Sequence, residues 1–458
     1  MERSINTQAL VARTRQSLTS RIAVAILPLL LIAPALWNEY PLLQFDTGGY
    51  LARWYEGYLV PSRSTVFGLY LHFGQNTHFW INLCIQAIAT LWILQLTLRV
   101  FGLTRPFRLA LIGLILIATT ALPWIASMLL TDIFAGLSVL SLFLLVAHGD
   151  NTSTLEKWLL FGFTAFAGAT HSATLGVLLG LCCVAWLLRP FLGARLPFAG
   201  LIAGSLTIVA GAAMLLTANF ALSGKWAWTP GGAGVTFGRM LQDGIVTRYL
   251  NDNCPQLKLK LCPYRNQLPP TADDFLWGND GIFNKLGRFE GMDQEMGYIA
   301  AHALTAYPLW QAQAAAVATA QQLVQVATGE GTTGWIPHTY GIIERYLPAQ
   351  VPAMRAAHQQ KWDINFAAVN WVHVPVALGS MLLLVGLLGH ALWQRRLDDL
   401  TLLAGTAAGA LLGNAMICGI ISGPHDRYGA RMVWIATFVV LIAATRYFVD
   451  RDSADPAD

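Results

Sequence analysis

Long apolar stretches separated by short polar links dominate the chain. A window of roughly 20 apolar residues, enough to cross hydrocarbon as a helix, marks about ten expected spans. They are 22–38, 78–99, 108–125, 129–148, 158–171, 173–188, 197–219, 369–393, 400–421 and 432–449. Backbone polar groups in lipid must bond internally, so each span is predicted to be an α-helix. The apolar run 158–188 carries Gly168, His171 and Ser172 near its middle, which predicts two short helices meeting at one face. The first run, Ile22 to Trp37, follows the basic leader MERSINTQALVARTRQSLTSR. Ala33-Pro34-Ala35 imitates a signal-cleavage site, but the run has the length of a retained span.

Between the apolar runs lie two longer polar regions. QFDTGGYLARWYEGYLVPSRS, residues 44–64, is amphipathic and aromatic. It reads as a helix along the membrane interface, with Trp54, Tyr55 and Tyr58 at headgroup depth. Segment 220–368 has Pro and Gly turns and one long helical pattern that Pro308 should start or kink. Three domains follow: 1–219, an N-terminal transmembrane module with outer loop 39–77; 220–368, a separate domain; and 369–458, a C-terminal transmembrane module.

Charge orients this arrangement. Arg3, Arg13, Arg15 and Arg21, then Arg99, Arg105 and Arg108, Lys157, Arg189 and Arg195, Arg395 and Arg396, and Arg446 and Arg451 all fall on one side. Cytoplasmic loops concentrate Lys and Arg, so that side is the cytoplasm and both termini lie there. Loop 39–77, segment 220–368 and link 422–431 lie on the other side. The expected fold is an all-α polytopic membrane protein of about ten transmembrane helices with one mostly helical periplasmic domain. Cys254 and Cys262, in NDNCPQLKLKLCPYR, fall in that outer segment and can close a small disulfide loop in an oxidising compartment. Cys84, Cys182, Cys183 and Cys418 sit in spans as small apolar residues, and no CxxC or CxxH spacing argues for a metal.

Composition supports the membrane reading. The chain is 55% hydrophobic and only 12% charged, against about 25% charged in soluble domains. The net charge of +4 comes without a dense basic patch interleaved with aromatics, which argues against a nucleic-acid partner.

Three charged stretches gather at the outer side: 44–64 with Asp46, Tyr50, Arg53, Glu56 and Arg63; LPWIASMLLTDIFAG with Asp132; and SGPHDRYGAR, residues 422–431, with His425, Asp426, Arg427 and Arg431. His171 faces the same side. Arg427 and Arg431 break the positive-inside trend, and charges near a bilayer usually face a protein cavity. Each has a structural reading. Asp46 is a favoured helix cap, Asp132 could fix packing through an arginine, and His171 could be a buried hydrogen-bonding residue. Arg427 and Arg431 could bind lipid headgroups. Arg63, Arg53 and Glu56 read first as solvated loop charges. Taken together they suggest chemistry. Four residues apart, Arg427 and Arg431 share a face if the last helix begins at the link. Two guanidiniums there suit a phosphate or diphosphate, as do the amides of a helix N-terminus. Asp46 across the cavity would be a base for an acceptor hydroxyl, Asp132 would orient a partner, and His425, His171, Tyr50 and Arg53 would line the cavity.

In these features the chain resembles the GT-C superfamily of integral-membrane glycosyltransferases, over roughly 22–219 and 369–449. The carriers are Asp46 in QFDTGGY shortly after the first span, the interfacial helix behind it, Asp132 in LLTDIFAG and the Arg-bearing link SGPHDRYGAR. The resemblance implies a polyprenyl-phosphate-linked sugar donor and a saccharide, lipid or protein acceptor. It implies Asp46 and Asp132 as catalytic residues, and Arg427, Arg431 and His425 as the donor-phosphate site. It also implies a multi-pass protein of a bacterial inner membrane, in contact with membrane lipids. The chain departs from the family pattern in two ways. Thr47 follows Asp46 where many members have a second acid, so no DxD is present and the cofactor is unknown, with a divalent cation left open. The WWDxG signature of oligosaccharyltransferases is also absent.

Two other readings compete. An O-antigen ligase or polymerase would place its key residues in the long outer segment, where Arg239, Arg248, His302 and His338 are the choices. A lipid or solute transporter or flippase would show repeats and mid-span charges, of which the nearest instance is the uncharged Asn414. Trp226, Trp228, Trp277, Trp310 and Trp335 are available to stack on an acceptor sugar or to pack the segment's own core. Asp273-Asp274 reads as a solvated turn or cap rather than a cation site.

Overall fold

The computed structural model describes residues 22–454, and all of its regular elements are helices. Arg3, Arg13, Arg15 and Arg21, which helped set the expected orientation, lie outside the described residues, as does the side chain of Arg451.

The membrane body begins with α1 (Ile22–Leu31) and α2 (Ala33–Asn38). It continues with α3 (Thr47–Glu56), α4 (Thr65–Gly74), α5 (Trp80–Val100), α6 (Pro106–Thr119) and α7 (Leu122–Ala126). Then come α8 (Asp132–Ala147), α9 (Thr154–Thr170), α10 (Ser172–Leu192) and α11 (Phe198–Ser223). Eight shorter or amphipathic helices follow: α12 (Gly232–Gln242), α13 (Ile245–Asn253), α14 (Ala272–Trp277), α15 (Ile282–Lys285), α16 (Arg288–Ala306), α17 (Pro308–Val324), α18 (Pro337–Tyr346) and α19 (Val351–Ala356). The chain closes with α20 (Phe366–Trp393), α21 (Asp399–Ile421) and α22 (Asp426–Ala454).

Six helices, α5, α10, α11 and α20 to α22, are long and apolar enough to cross a membrane. The other four expected spans are realised as shorter or broken pieces. Run 22–38 divides at Ile32, just before Pro34, which has no N–H to continue the ladder. Run 108–125 divides at Thr120, whose backbone is extended. The break within 158–188 falls at His171, also extended (φ −153°, ψ 120°). Pro308 starts α17, as the sequence suggests.

The centre of the body is α8. Every residue from Asp132 to Val146 is buried, and α5, α9, α11, α21 and α22 surround the helix. A helix that is apolar all round belongs in such a place. Its first residue therefore delivers a carboxylate into the interior. α20 differs, with Leu382, Leu383 and Val385 exposed along an apolar outer face.

Charged links mark one end of the body. Arg99 bonds Glu156 through both carboxylate oxygens and the Asn151 carbonyl, and Arg446 stands 5.9 Å over the Phe101 ring. The links after α5 and before α9 therefore meet the far part of α22 at one end. The start of α22 and the start of α8 lie at the other.

The core of segment 220–368 is divided. Phe237, Ile245, Leu250, Phe283, Met292 and Met296 form a small core of their own in α12 to α16. Val326, Ile336, Tyr340, Ile343 and Met354, further along, join the main core instead. α17 packs on α21, and α18 packs on α3. Cys254 and Cys262 form a disulfide, with Cα atoms 5.6 Å apart, at the edge of the smaller core.

The helix expected along the interface is α3. Trp54 and Tyr58 are exposed as an interfacial helix requires, but residues Thr47 to Arg53 are all buried. α4 and α18 cover that face, and the Gly48 N–H donates to Thr339 Oγ1 at 3.0 Å.

Candidate functional site

Five charged residues, drawn from all three charged stretches, converge into one ladder. Arg63 bonds Asp46 Oδ1. Asp46 Oδ2 accepts from Arg427 Nη1 at 2.7 Å. Arg427 Nε donates to Asp132 Oδ2 at 2.9 Å. Asp132 Oδ1 lies 3.6 Å from Arg431 Nη1 and accepts no hydrogen bond among the described residues. Three guanidiniums thus alternate with two carboxylates and leave one positive charge over.

Local structure explains each placement. α22 begins at Asp426 rather than at 432, so Arg427 and Arg431 are one turn apart on its first two turns. Asp132 opens α8, where the helix dipole favours an acid. Asp46 caps α3, though its side chain accepts no cap hydrogen bond because the two arginines use both oxygens. Arg63 returns from the link between α3 and α4. Tyr50 is buried with its ring beneath the Arg63 guanidinium at 5.7 Å. Arg427 and Arg431 both lie over the ring of Tyr428, at 5.5 and 5.3 Å.

The ladder runs from closed to open. Arg431 and Asp132 side chains are 0% and 2% exposed, Arg427 is 12%, and Arg63 and Asp46 are 17% and 19%. Only the Arg63–Asp46–Arg427 end can meet a ligand. Arg431 is therefore closed to any ligand at that end, although its spacing from Arg427 suggested a shared grip on a phosphate. Asn414 Oδ1 receives its Nε and Nη2 at 3.2 and 2.7 Å, and Cys418 Sγ lies 3.2 Å from Nη2. His171 Nδ1 lies 3.5 Å from Arg431 Nη1, so His171 joins the closed end.

Arg53 is not a cavity residue. Fully buried, it donates to Thr65 Oγ1 at 2.7 Å, Asn219 Oδ1 at 3.2 Å and the Val60 carbonyl at 2.9 Å, tying α3 to α4 and α11. α4 and α11, which hold its partners, cover this face of α3 and turn the side chain inward.

A carboxylate that sequence reasoning missed completes the open end. Glu330, in the α17–α18 link, accepts from the Arg427 backbone N–H at 2.8 Å through one oxygen. Its other oxygen lies 2.7 Å from His425 Nδ1. The anion position at the α22 N-terminus is thus held by the chain's own acid. Gly329 (φ +103°) and Gly331 (φ +74°) flank Glu330 and allow the tight loop that presents it.

The electrostatics hold both acids of the open end below the usual carboxylate range. Burial favours the neutral form of Asp46, but Arg63 and Arg427 outweigh it and hold the carboxyl at about 2. Glu330 is likewise raised by burial and lowered more by His425 and the Arg427 N–H, for a net shift below the usual range. The hydrogen bond to Glu330 raises His425 above its ordinary value, against burial. A carboxyl held at about 2 takes up a proton poorly near neutral pH, so the base role expected of Asp46 fits it badly.

The residues of the ligase reading are scattered. Arg239 is buried against Asp243, Arg248 stands over Tyr307 and Trp310, and His302 bonds the Tyr298 carbonyl. His338 lies against Gly48. The five tryptophans form no common platform: Trp226 stacks on Phe220, Trp228 donates to Ser172, Trp277 meets Phe289, Trp310 meets Tyr307, and Trp335 meets Tyr340. Thr271 caps α14: its Oγ1 accepts from the Asp274 N–H and its hydroxyl donates to Asp274 Oδ2. Among the described residues no three His, Cys, Asp or Glu side chains form a group able to hold a metal ion. No family model matches the chain, and neither a curated protein nor a solved structure matches it.

Proposed function

We propose that this chain is a membrane glycosyltransferase that moves a sugar from a polyprenyl-phosphate donor to an envelope glycan, lipid or protein acceptor. In this reading it works at the periplasmic face of a bacterial inner membrane, with about ten membrane passes and both termini in the cytoplasm. The observation that carries the reading is the open end of the ladder. Arg63 and Arg427 flank one carboxylate there, at the end of the apolar helices away from the Arg99 and Arg446 links. The Cys254–Cys262 disulfide supports an oxidising, non-cytoplasmic location for α12 to α16.

The chemistry follows from those groups. A lipid-borne phosphate competes with Asp46 for the two guanidiniums, and the fork of Arg427 is already aimed by Asp132. The acceptor hydroxyl oxygen bonds to the anomeric carbon and gives up its proton, while the bond from that carbon to the phosphate oxygen breaks with its electron pair on the phosphate. Two prepositioned cations stabilise that charge as it develops. Asp46 keeps the guanidiniums apart and aligned before the donor arrives, and Arg431 with Asn414 holds Asp132 from behind.

The test is turnover by the purified protein in lipid nanodiscs, with a panel of radiolabelled polyprenyl-phosphate monosaccharides and release of polyprenyl phosphate as readout. The wild type should turn over at least one donor. Arg63→Ala and Arg427→Lys should each lower kcat/KM by roughly 100-fold, as removal of one oxyanion-stabilising donor does. Failure of the wild type on every donor, or full activity in both variants, would contradict the reading.

A further inference from the structure

A second charged arrangement adjoins the open end of the ladder. His425 is the last residue before α22, and Gln322 of α17 grips its backbone on both sides. The His425 N–H donates to Gln322 Oε1 at 2.9 Å, and Gln322 Nε2 donates to the His425 carbonyl at 2.8 Å. Asp426 Oδ1 accepts from the Ala327 N–H at 2.9 Å, so the link and the segment leaving α17 are locked together. The imidazole is then oriented by Glu330, 2.7 Å from Nδ1. A carboxylate at that nitrogen keeps the proton on Nδ1 and leaves the lone pair on Nε2. Nε2 makes no hydrogen bond among the described residues.

The surroundings leave Nε2 room. His425 and Glu330 are 31% and 36% exposed, more open than any member of the ladder. Gly423 (φ +120°) lies beside the ring, and a β-carbon there would sit 3.9 Å from both His425 Nε2 and Arg239 Nη1. A side chain at this position would fill the gap between them. Arg239 in turn lines a cavity of about 330 Å³ with Asp243, Ala300, Leu304, Ile420 and Ile421. The free nitrogen therefore faces, across Gly423, the arginine that lines this mostly apolar space, while Glu330 ties the same ring to the Arg427 N–H.

Resting on the transferase reading above, we propose that His425 is the general base of the transfer and that Glu330 is its positioning residue. Nε2 takes the proton of the acceptor hydroxyl as the acceptor oxygen bonds to the anomeric carbon. The bond from that carbon to the donor phosphate breaks, and its electron pair leaves with the phosphate, which Arg63 and Arg427 receive. Glu330 stabilises the imidazolium, which afterwards gives its proton to water. Glu330 also accepts from the Arg427 N–H, so one carboxylate sets the base and the phosphate-binding arginine in register. Asp46, bound by two cations, is free of this duty. The charged groups facing His425 are Glu330, Asp273 of α14, Arg427 of α22 and, across Gly423, Arg239 of α12. Of these, Glu330 has the largest effect, and it raises the imidazole above its ordinary value.

The test compares wild type, His425→Asn, His425→Gln and Glu330→Gln in nanodiscs on the donor that the wild type turns over. Wild-type kcat should rise with pH through one ionisation. His425→Asn and His425→Gln should lose roughly 10²- to 10⁴-fold in kcat, with donor KM changed by less than about threefold. Glu330→Gln should move the acid limb to lower pH, and NMR of isotope-labelled histidine should show the same displacement in the His425 titration without turnover. If both His425 variants retain more than about a tenth of wild-type kcat, or if the limb and titration do not move in Glu330→Gln, the base assignment is overturned while the transferase reading stands. A wild type inactive on every polyprenyl-phosphate sugar overturns both.

Discussion

Arg427 Nη1 lies 2.7 Å from Asp46 Oδ2, although the two residues are 381 positions apart. That contact joins the first outer loop to the start of the last helix, and Asp132 enters from the central helix to share the same guanidinium. Two acids share this one guanidinium, whose side chain is 12% exposed. Breaking a buried ion pair by removing one partner costs about 3–5 kcal/mol, because the remaining charge is left uncompensated. Arg427→Ala should therefore lower stability by about that amount in detergent. Arg427→Lys should recover only part of it, since an ammonium cannot reproduce the fork that serves both carboxylates. Denaturant unfolding followed by tryptophan fluorescence checks this, and an unchanged midpoint in Arg427→Ala would count against the ladder.

Acid should weaken the outer end of the ladder. Asp46 is held at about 2 against an ordinary value of 3.8. A lowered folded-state value means stabilisation that is complete above 3.8 and lost as pH falls toward 2. The shift corresponds to about 2 kcal/mol. Unfolding measured from pH 6 down to about 2 should show this loss in wild type and a flatter profile in Asp46→Asn. His425 contributes with the opposite sign. Its raised value gives stabilisation that is complete below its ordinary 6.5 and lost as pH climbs through the folded-state value. Glu330→Gln should remove that second dependence.

The disulfide should matter locally. Cys254 and Cys262 close a loop of sequence separation 8 on the small core of α12 to α16. Replacing both by Ser should cost that core about 2 kcal/mol and leave the ladder in place. Limited proteolysis should cut within α12 to α16 first. After mild reduction of intact cells stripped of their outer membrane, a membrane-impermeant maleimide should label these two cysteines, and protection until lysis would contradict an outer location.

Arg53 separates structure from binding. Its guanidinium ties three helices together in a fully buried position. Arg53→Met should lower the unfolding midpoint while the folded fraction binds polyprenyl phosphate like wild type. Loss of binding in folded Arg53→Met would return this residue to the site.

What could be read in the sequence follows from which forces act locally. Apolar runs located the long helices because burial in lipid or core depends on length and composition. The break at His171 and the start of α17 at Pro308 were legible because polar groups and proline disturb a helix ladder in place. Asp46, Asp132 and Arg427 were legible as partners because charges at the ends of apolar spans need compensation. Arg63 was not, since an arginine in a polar loop looks solvated until the turn between α3 and α4 brings it to Asp46. Glu330 hid in TGEGTTG, which reads as a turn, and its role depends on α17 packing along α21. Arg53 was misplaced because an amphipathic pattern shows that one face of α3 is covered but not that α4 and α11 cover it.

The central claim is that Arg63 and Arg427 bind a lipid-borne phosphate in competition with Asp46. Affinity of nanodisc-embedded protein for polyprenyl phosphate and for the uncharged polyprenol tests it most directly, in wild type, Arg63→Ala and Asp46→Asn. Polyprenyl phosphate should bind wild type more tightly than polyprenol does, lose roughly tenfold or more in Arg63→Ala, and gain affinity in Asp46→Asn. Equal affinity for the two lipids, unchanged by either substitution, would contradict the account.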